Sequence, residues 1–205
     1  MIQAINISKQ YKNKKIVFEP NIEINKGNLY IITGESGAGK TTLLNILGLL
    51  EPPTMGDIII ENIKNPKKRE IMFFRRNKIS YLFQNYALVE NETVEYNLKI
   101  ALAYKKNIDK KKEISNVLSY IDMQNIEKSK IYELSGGEQQ KISLARAILK
   151  DGDYIFADEP TGNLDNKNGK IIFDILKDQS KNNKAVIVVT HDTEMIKYGD
   201  VHFKI

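Results

Sequence analysis

Residues 34–41 read GESGAGKT, led in by the apolar run NLYIIT and followed by TLLNILGLL. Glycines at Gly34, Gly37 and Gly39 let the backbone close tightly, so that several N–H groups converge where side chains would clash. The helix expected to open at Lys40 adds the partial positive charge of its N-terminus. The pattern G-x-x-x-x-G-K-T therefore predicts a strand, a phosphate-binding loop and a helix in direct succession. Lys40 is expected to reach the β- and γ-phosphates of a nucleotide and Thr41 to place its hydroxyl on Mg²⁺. Ser36 and Thr42 complete the expected phosphate cradle. A plain glycine turn before a helix would not need the whole pattern in this context.

Such a loop belongs to an alternating α/β chain, and the remaining sequence agrees. QAINIS alternates as a half-buried strand, and IVFEPNIEI continues in that style. The helix from residue 40 is expected to reach about residue 50, stopped by Pro52 and Pro53. DIIIEN and ISYLFQ read as strands. Residues 93–150 are helical by pattern: TVEYNLKIALAYKK, KKKEISNVLSYI and GEQQKISLARAILK. Then follow strand YIFAD, helix NGKIIFDILKDQ, strand AVIVVT, a short helix and strand VHFKI. The prediction is one domain over residues 1–205. Its core and β subdomain span 1–85 and 151–205, with a helical insertion over about 86–150.

Composition narrows the function. The 205 residues include no cysteine, which excludes disulfides and thiolate metal sites. No run approaches the roughly 20 apolar residues that span a bilayer. The N-terminal charges precede any long apolar run, unlike a signal peptide, so a cytoplasmic location is expected. The net charge is +5, with lysines clustered at 12–15, 64–69 and 105–112. These clusters lack interleaved aromatics and any nucleic-acid-binding motif, so they read as a solvated surface and no nucleic-acid partner is expected.

YIFADE carries an apolar strand to Asp158 and Glu159. Asp158 is expected to hold Mg²⁺ through its water shell, and Glu159 to orient or deprotonate an attacking water. His191, placed at the end of strand VIVVT, stands where ligands gather in open α/β sheets and can touch a γ-phosphate. Gln84, placed at the end of ISYLFQ, offers an amide to Mg²⁺ or to the water. Tyr11 either stacks on a base or covers the sheet, and His202, inside the last strand, reads as structural. A second glycine-rich stretch, LSGGEQQK at 134–141, also opens a helix. One nucleotide does not need two such loops.

Taken together, these stretches resemble the ATP-binding subunit of ABC transporters over essentially the whole chain. LSGGEQQK is similar to that family's signature, LFQN to its Q-loop, NLD at 163–165 to its D-loop and THD at 190–192 to its switch-histidine loop. ADEPTGNLD and RRNKISYLFQNYALVENETVEYNL are most similar to the lipoprotein-releasing, macrolide- or peptide-exporting and cell-division-type branch. Lys141 stands where an arginine is usual, and the ending at Ile205 points away from the sugar-importer type.

The resemblance implies a P-loop NTPase with a RecA-like core, an N-terminal antiparallel β subdomain and an inserted helical subdomain. It implies ATP and Mg²⁺ as cofactors, Tyr11 on the adenine, and Ser135, Gly136, Gly137, Glu138 and Asp165 at the nucleotide. Two copies, or a pair with a related ATPase, would face head to tail, each ATP lying between one P-loop and the other copy's signature. An integral membrane permease in trans would dock near residues 84–98, at Tyr86, Leu88 and Val89, leaving the chain peripheral on the cytoplasmic face of the membrane. Two other readings fit the same motifs. One is an ATPase that controls a cell-wall process through a membrane partner without transport. The other is a soluble ribosome- or DNA-acting ATPase, although such proteins carry two cassettes or a long coiled coil.

Overall fold

The computed structural model describes residues 1–12, 14–18, 21–162 and 164–205. Its centre is a parallel sheet of five strands: β4 (Leu29–Thr33), β7 (Ile79–Leu82), β8 (Tyr154–Asp158), β9 (Ala185–Val189) and β10 (Val201–Lys204). The strand order is β10-β4-β9-β8-β7. All five residues of β4, of β8 and of β9 are buried. That is why these strands read as continuous apolar runs rather than alternating ones: a parallel sheet is covered on both faces.

Successive residues of each strand feed opposite cores. Tyr30, Ile32, Phe156, Ile187 and Val189 pack with α1 (Lys40–Leu47), with Phe74 of α2 (Lys68–Asn77) and with an antiparallel sheet. That second sheet contains β1 (Ile2–Tyr11), β2 (Lys14–Val17), β3 (Asn21–Ile24), β5 (Met55–Ile60) and β6 (Ile63–Lys64). Leu29, Ile31, Ile155, Ala157, Val186 and Val188 face the other way, toward α5 (Gly136–Lys150) and α6 (Asn166–Lys181). On α5 lie α3 (Val94–Ala101) and α4 (Lys110–Tyr120), which share its apolar core. Among the described residues no helix is long and apolar enough to cross a membrane.

Several expectations are corrected. α1 ends at Leu47, not near residue 50. Gly48 packs so closely on Tyr81 that a Cβ there would sit 1.6 Å from the tyrosine oxygen, and Leu49 turns left-handed at φ 61°. The helix thus stops before the prolines. Gln84 and His191 do not end strands: β7 finishes at Leu82 and β9 at Val189, so each residue stands in the loop beyond. The expected strand IVFEPNIEI forms as two, β2 and β3, with Glu19 and Pro20 between them outside the described residues. Helix α2 was not expected at all. Its only fully buried side chain is Phe74.

Candidate active site

The strand-to-helix turn after β4 is built on glycine for two separate reasons. Gly37 and Gly39 are left-handed, at φ 77° and 103°, where a side chain is strained. A Cβ on Gly34 would fall 2.1 Å from the carbonyl oxygen of Ile205, because Ile205 N–H binds the Thr33 carbonyl at 2.9 Å. Gly39 serves as the N-cap of α1, with no side-chain cap and no acidic residue in the first turn. The N–H groups at that terminus therefore have no carboxylate of their own helix to bind. The Lys40 ammonium donates to the carbonyls of Gly34 and Glu35, each at 3.0 Å, and so curls over the loop it is to serve.

Behind this loop, Thr41 Oγ1 donates to Asp158 Oδ1 at 3.1 Å. Asp158 closes β8 and is 9% exposed. Burial raises its carboxyl pKa, the Thr41 hydroxyl pulls it down, and the neighbouring Glu159 charge pushes it up again. A hydroxyl beside one carboxylate is a hard-oxygen set suited to Mg²⁺, which keeps several waters and shares substrate phosphates. Among the described residues there is no group of three acidic or histidine side chains that would form a protein-only cage. Gln84 lines one cleft with Phe83, Asn85 and Asp158, which brings its amide and that carboxylate to the same opening.

Glu159 is left-handed, at φ 45°, with its N–H on the Val189 carbonyl at 2.9 Å. Its side chain meets the loop after β9. There, Glu159 Oε2 lies 2.8 Å from His191 Nδ1 and accepts from the His191 backbone N–H at 3.3 Å. The glutamate side chain is 12% exposed and the histidine 70%, so an inward carboxylate is held by an outward ring. Tyr11 is partly exposed, and its hydroxyl contacts Thr42 at 3.3 Å and Glu51 at 3.0 Å. This sets the ring beside the first turn of α1. His202 Nε2 lies 2.6 Å from Thr33 Oγ1, just ahead of the loop.

The second glycine stretch sits elsewhere. Ser135 caps α5, accepting from Glu138 N–H at 3.4 Å. The Glu138 carboxylate receives the Ser135 hydroxyl at 2.7 Å and the Ser135 N–H at 2.8 Å. These bonds hold its pKa below the ordinary glutamate value. Ser135 and Gly136 are exposed. A Cβ on Gly137 would meet Leu164 at 3.4 Å, and buried Gln140 donates to the Pro160 carbonyl at 2.7 Å. Asp165 caps α6 through Asn168 N–H at 2.8 Å. Asn163, expected in the same short motif, lies outside the described residues.

Sequence reasoning missed one element of the site. Tyr86 and Ala87 are both left-handed, at φ 61° and 49°. Their carbonyls are held from α5, by Ser143 Oγ on Tyr86 at 3.0 Å and by Arg146 on Tyr86 at 2.7 Å and Ala87 at 2.5 Å. The helix that starts at Ser135 thus grips the turn that follows Gln84. Nothing within LARAILK announces a bond partner some 60 residues earlier.

The ABC transporter family profile matches residues 17–162. The chain belongs to the ABC transporter family. It is 36% identical to MJ0796, an ABC transporter ATP-binding protein of Methanocaldococcus jannaschii, over 98% of this chain and 91% of that one. A solved dimer of MJ0796, in a post-hydrolysis state bound to ADP and Pi, superposes with a TM-score of 0.90 at 33% identity, covering 100% of this chain and 94% of that one. LolD, the lipoprotein-releasing system ATP-binding protein of Buchnera aphidicola, is 36% identical over 98% of this chain and 92% of its own. MacB, the macrolide export ATP-binding/permease protein of Campylobacter jejuni, is 35% identical over 95% of this chain, which spans 31% of MacB. The chain is thus an ABC ATP-binding protein and an ATPase with the P-loop NTPase fold, of the LolD, MacB and MJ0796 type.

Proposed function

We propose that two copies of the chain, or one copy and a related ATPase, close head to tail around ATP and drive a separate integral membrane permease. The observation that carries this reading is the placement of the two glycine-rich helices. α1 packs on one face of the parallel sheet and α5 on the other. The P-loop and the exposed signature Ser135 then serve different nucleotides. ATP bridges two chains through its γ-phosphate and ADP cannot, so binding closes the pair and hydrolysis releases it.

Within each shared site, the loop from Gly34 to Gly39, with Ser36, Lys40 and Thr42, binds the phosphates, and Tyr11 stacks on the adenine. Ser135, Gly136, Gly137, Glu138 and Asp165 come from the opposite chain. Thr41 and Asp158 are the donors for Mg²⁺, with Gln84 at the same opening; the bound ion would neutralise charge on the phosphate oxygens. Glu159 accepts the proton of the attacking water. His191 holds that carboxylate in place and presents the outer face of its ring toward the γ-phosphate. The likeness to LolD and MacB supports export of a peptide, antimicrobial or lipoprotein-like substrate, with the permease contact near Tyr86, Leu88 and Val89. The chain then sits on the cytoplasmic face of the membrane.

Complementation tests the shared site. A chain with Lys40→Ala and a chain with Ser135→Arg each form homodimers with two damaged sites. In the mixed dimer both lesions fall in one site, and the other is assembled from intact halves. The mixture should retain one ATP per dimer after rapid desalting, while neither parent does. Proven heterodimers that retain no more than the parents would exclude the head-to-tail arrangement.

A further inference from the structure

Two features of helix α2 gain nothing from folding. It opens with Lys67 at the N-cap, then Lys68 and Arg69, all exposed. A helix N-terminus carries partial positive charge and disfavours cations. Its solvent side carries Met72 and Phe73, which are 42% and 52% exposed. At about 100° per residue these two stand between Arg69 and Arg76 on one face, opposite buried Phe74. Among the described residues, Lys68, Arg69 and Arg76 form no ion pair. The Arg76 guanidinium lies 4.7 Å from the centre of the Tyr104 ring. The one acid of the helix, Glu70, is partly buried and accepts the Lys67 N–H at 2.7 Å. In the sequence, the lysines at 64–69 have no aromatic among them, but the helix sets Lys68 and Arg69 beside one. Local choices that work against the fold point to a role outside it.

We infer that the outer face of α2 lies on an anionic lipid surface, with Lys68 and Arg69 at the headgroups and Met72 and Phe73 dipping among the upper acyl chains. Only that boundary offers negative charge and apolar cover side by side along one helix face. The inference rests on the proposed place of the chain at the membrane, and adds a contact that the chain makes without the permease. Arg76 shares a groove with Ala87, so this face stands on the side where the permease contact is proposed. Lipid fits better than protein. Lys68, Arg69, Met72 and Phe73 line neither of the grooves that flank α2. Two apolar side chains on one helix also fall far short of the roughly 800 Å² a side that a stable protein interface buries. A second copy meeting the first through this face would set the same cations against each other. The lipid contact would keep the chain at the membrane surface while the pair is open.

The chain has no tryptophan, so Phe73→Trp reports on this face alone. The test adds the full chain to vesicles that hold no permease. Sedimentation should show binding to phosphatidylglycerol vesicles and little to phosphatidylcholine. Emission of Phe73→Trp should shift to the blue and be quenched by brominated phosphatidylglycerol. Tyr132→Trp, at a remote position that is also exposed, should show neither change. Lys68→Gln with Arg69→Gln should weaken binding about 25-fold, at about fivefold for each cation near an anionic surface. Lys111→Gln with Lys112→Gln removes the same charge from α4 and should change binding by less than about twofold. Met72→Ser with Phe73→Ser should weaken it about tenfold. Basal ATPase of each variant should stay within about twofold of wild type, because all these residues lie outside the catalytic set. No binding to phosphatidylglycerol, or equal binding to phosphatidylcholine, would overturn the inference. So would binding that leaves Trp at position 73 unquenched, or an equal loss in the α4 pair, since either means attraction by net charge alone. A blue shift on an acidic helical peptide, without vesicle binding, would overturn it in favour of a protein partner. Failure of the vesicle arms leaves the head-to-tail pair to the complementation test. Failure of that test would strike the proposed function and leave the lipid contact to be judged on the vesicles.

Discussion

The chain opens two helices with glycine-rich loops, and their N-termini are finished in opposite ways. α1 begins at left-handed Gly39 with no side-chain cap and no acid in its first turn. α5 begins at Ser135 with a complete capping box, its own Glu138 lying across the terminus. The first terminus presents N–H groups to an anion from outside, and the second already holds an anion of its own. Similar composition therefore produces two kinds of helix terminus. One is open within a single chain. On the proposed head-to-tail reading, the other would engage phosphate only when a second chain brings it, in competition with Glu138.

The largest effect should come from a residue outside both termini. Glu159 belongs to neither helix and is held by His191. Glu159→Gln should leave both phosphate sites intact and slow hydrolysis by about 10²–10⁴-fold, the usual scale for losing a general base. The variant should then accumulate as an ATP-bound dimer on sizing with ATP-Mg²⁺ and revert to monomer with ADP. A rate close to wild type would remove Glu159 from the chemistry.

A smaller effect separates the two termini directly. In the isolated monomer, Lys40→Ala should weaken nucleotide binding by about 10–100-fold, the cost of lost charge-assisted bonds. Ser135→Arg should leave the same binding within about twofold, if its partner nucleotide belongs to another chain as proposed. Titrating fluorescent ATP at concentrations too low for dimers compares them. Equal losses would mean that both loops meet one nucleotide, and the contrast would collapse.

The contrast itself was only half legible in the sequence. GESGAGKT and ADE stand in fixed contexts, a buried strand followed by a turn, so local pattern put Lys40 and Thr41 at the start of α1, Asp158 at the end of β8 and Glu159 just beyond it, where the structure has them. The same holds for the buried strands, whose apolar runs follow from a sheet covered on both faces. What failed depends on contacts far away in sequence. The end of α1 is set by Gly48 against Tyr81, and the loop position of Gln84 by a turn that α5 grips through Arg146. Helix α2 buries so little that its lysines and arginines masked the i, i+3 pair Ile71 and Phe74. Its N-terminal bond, from Lys67 N–H to Glu70 at 2.7 Å, was there to be read as a capping pattern, but lysine is not a usual cap.

The smallest effect concerns Glu138 alone. Bonds from the Ser135 hydroxyl and N–H lower its pKa in the folded chain from the ordinary value of 4.5. A carboxyl depressed on folding stabilises the fold above its unfolded pKa, and that stabilisation is lost as the pH falls through the folded value. Glu138→Gln keeps an oxygen for the Ser135 N–H but removes the charge facing the terminus. At pH 7 it should cost about 0.3–1 kcal/mol of stability, the scale of a charge at a helix N-terminus. The gap between variant and wild type should close as the pH is taken below about 4.5, which denaturant melts of the two proteins at matched pH will read. On the proposed head-to-tail reading, the same substitution removes a negative charge from the place where the opposite chain's γ-phosphate would arrive. ATP-dependent dimerisation of a hydrolysis-blocked background should therefore tighten by about two- to fivefold, that same free energy expressed as an equilibrium constant. Lower stability together with readier closure is the signature of a terminus that holds its own carboxylate until phosphate displaces it. Equal stability across the pH range would mean that the box at Ser135 adds no energy, and that the two termini differ in shape but not in how they hold an anion.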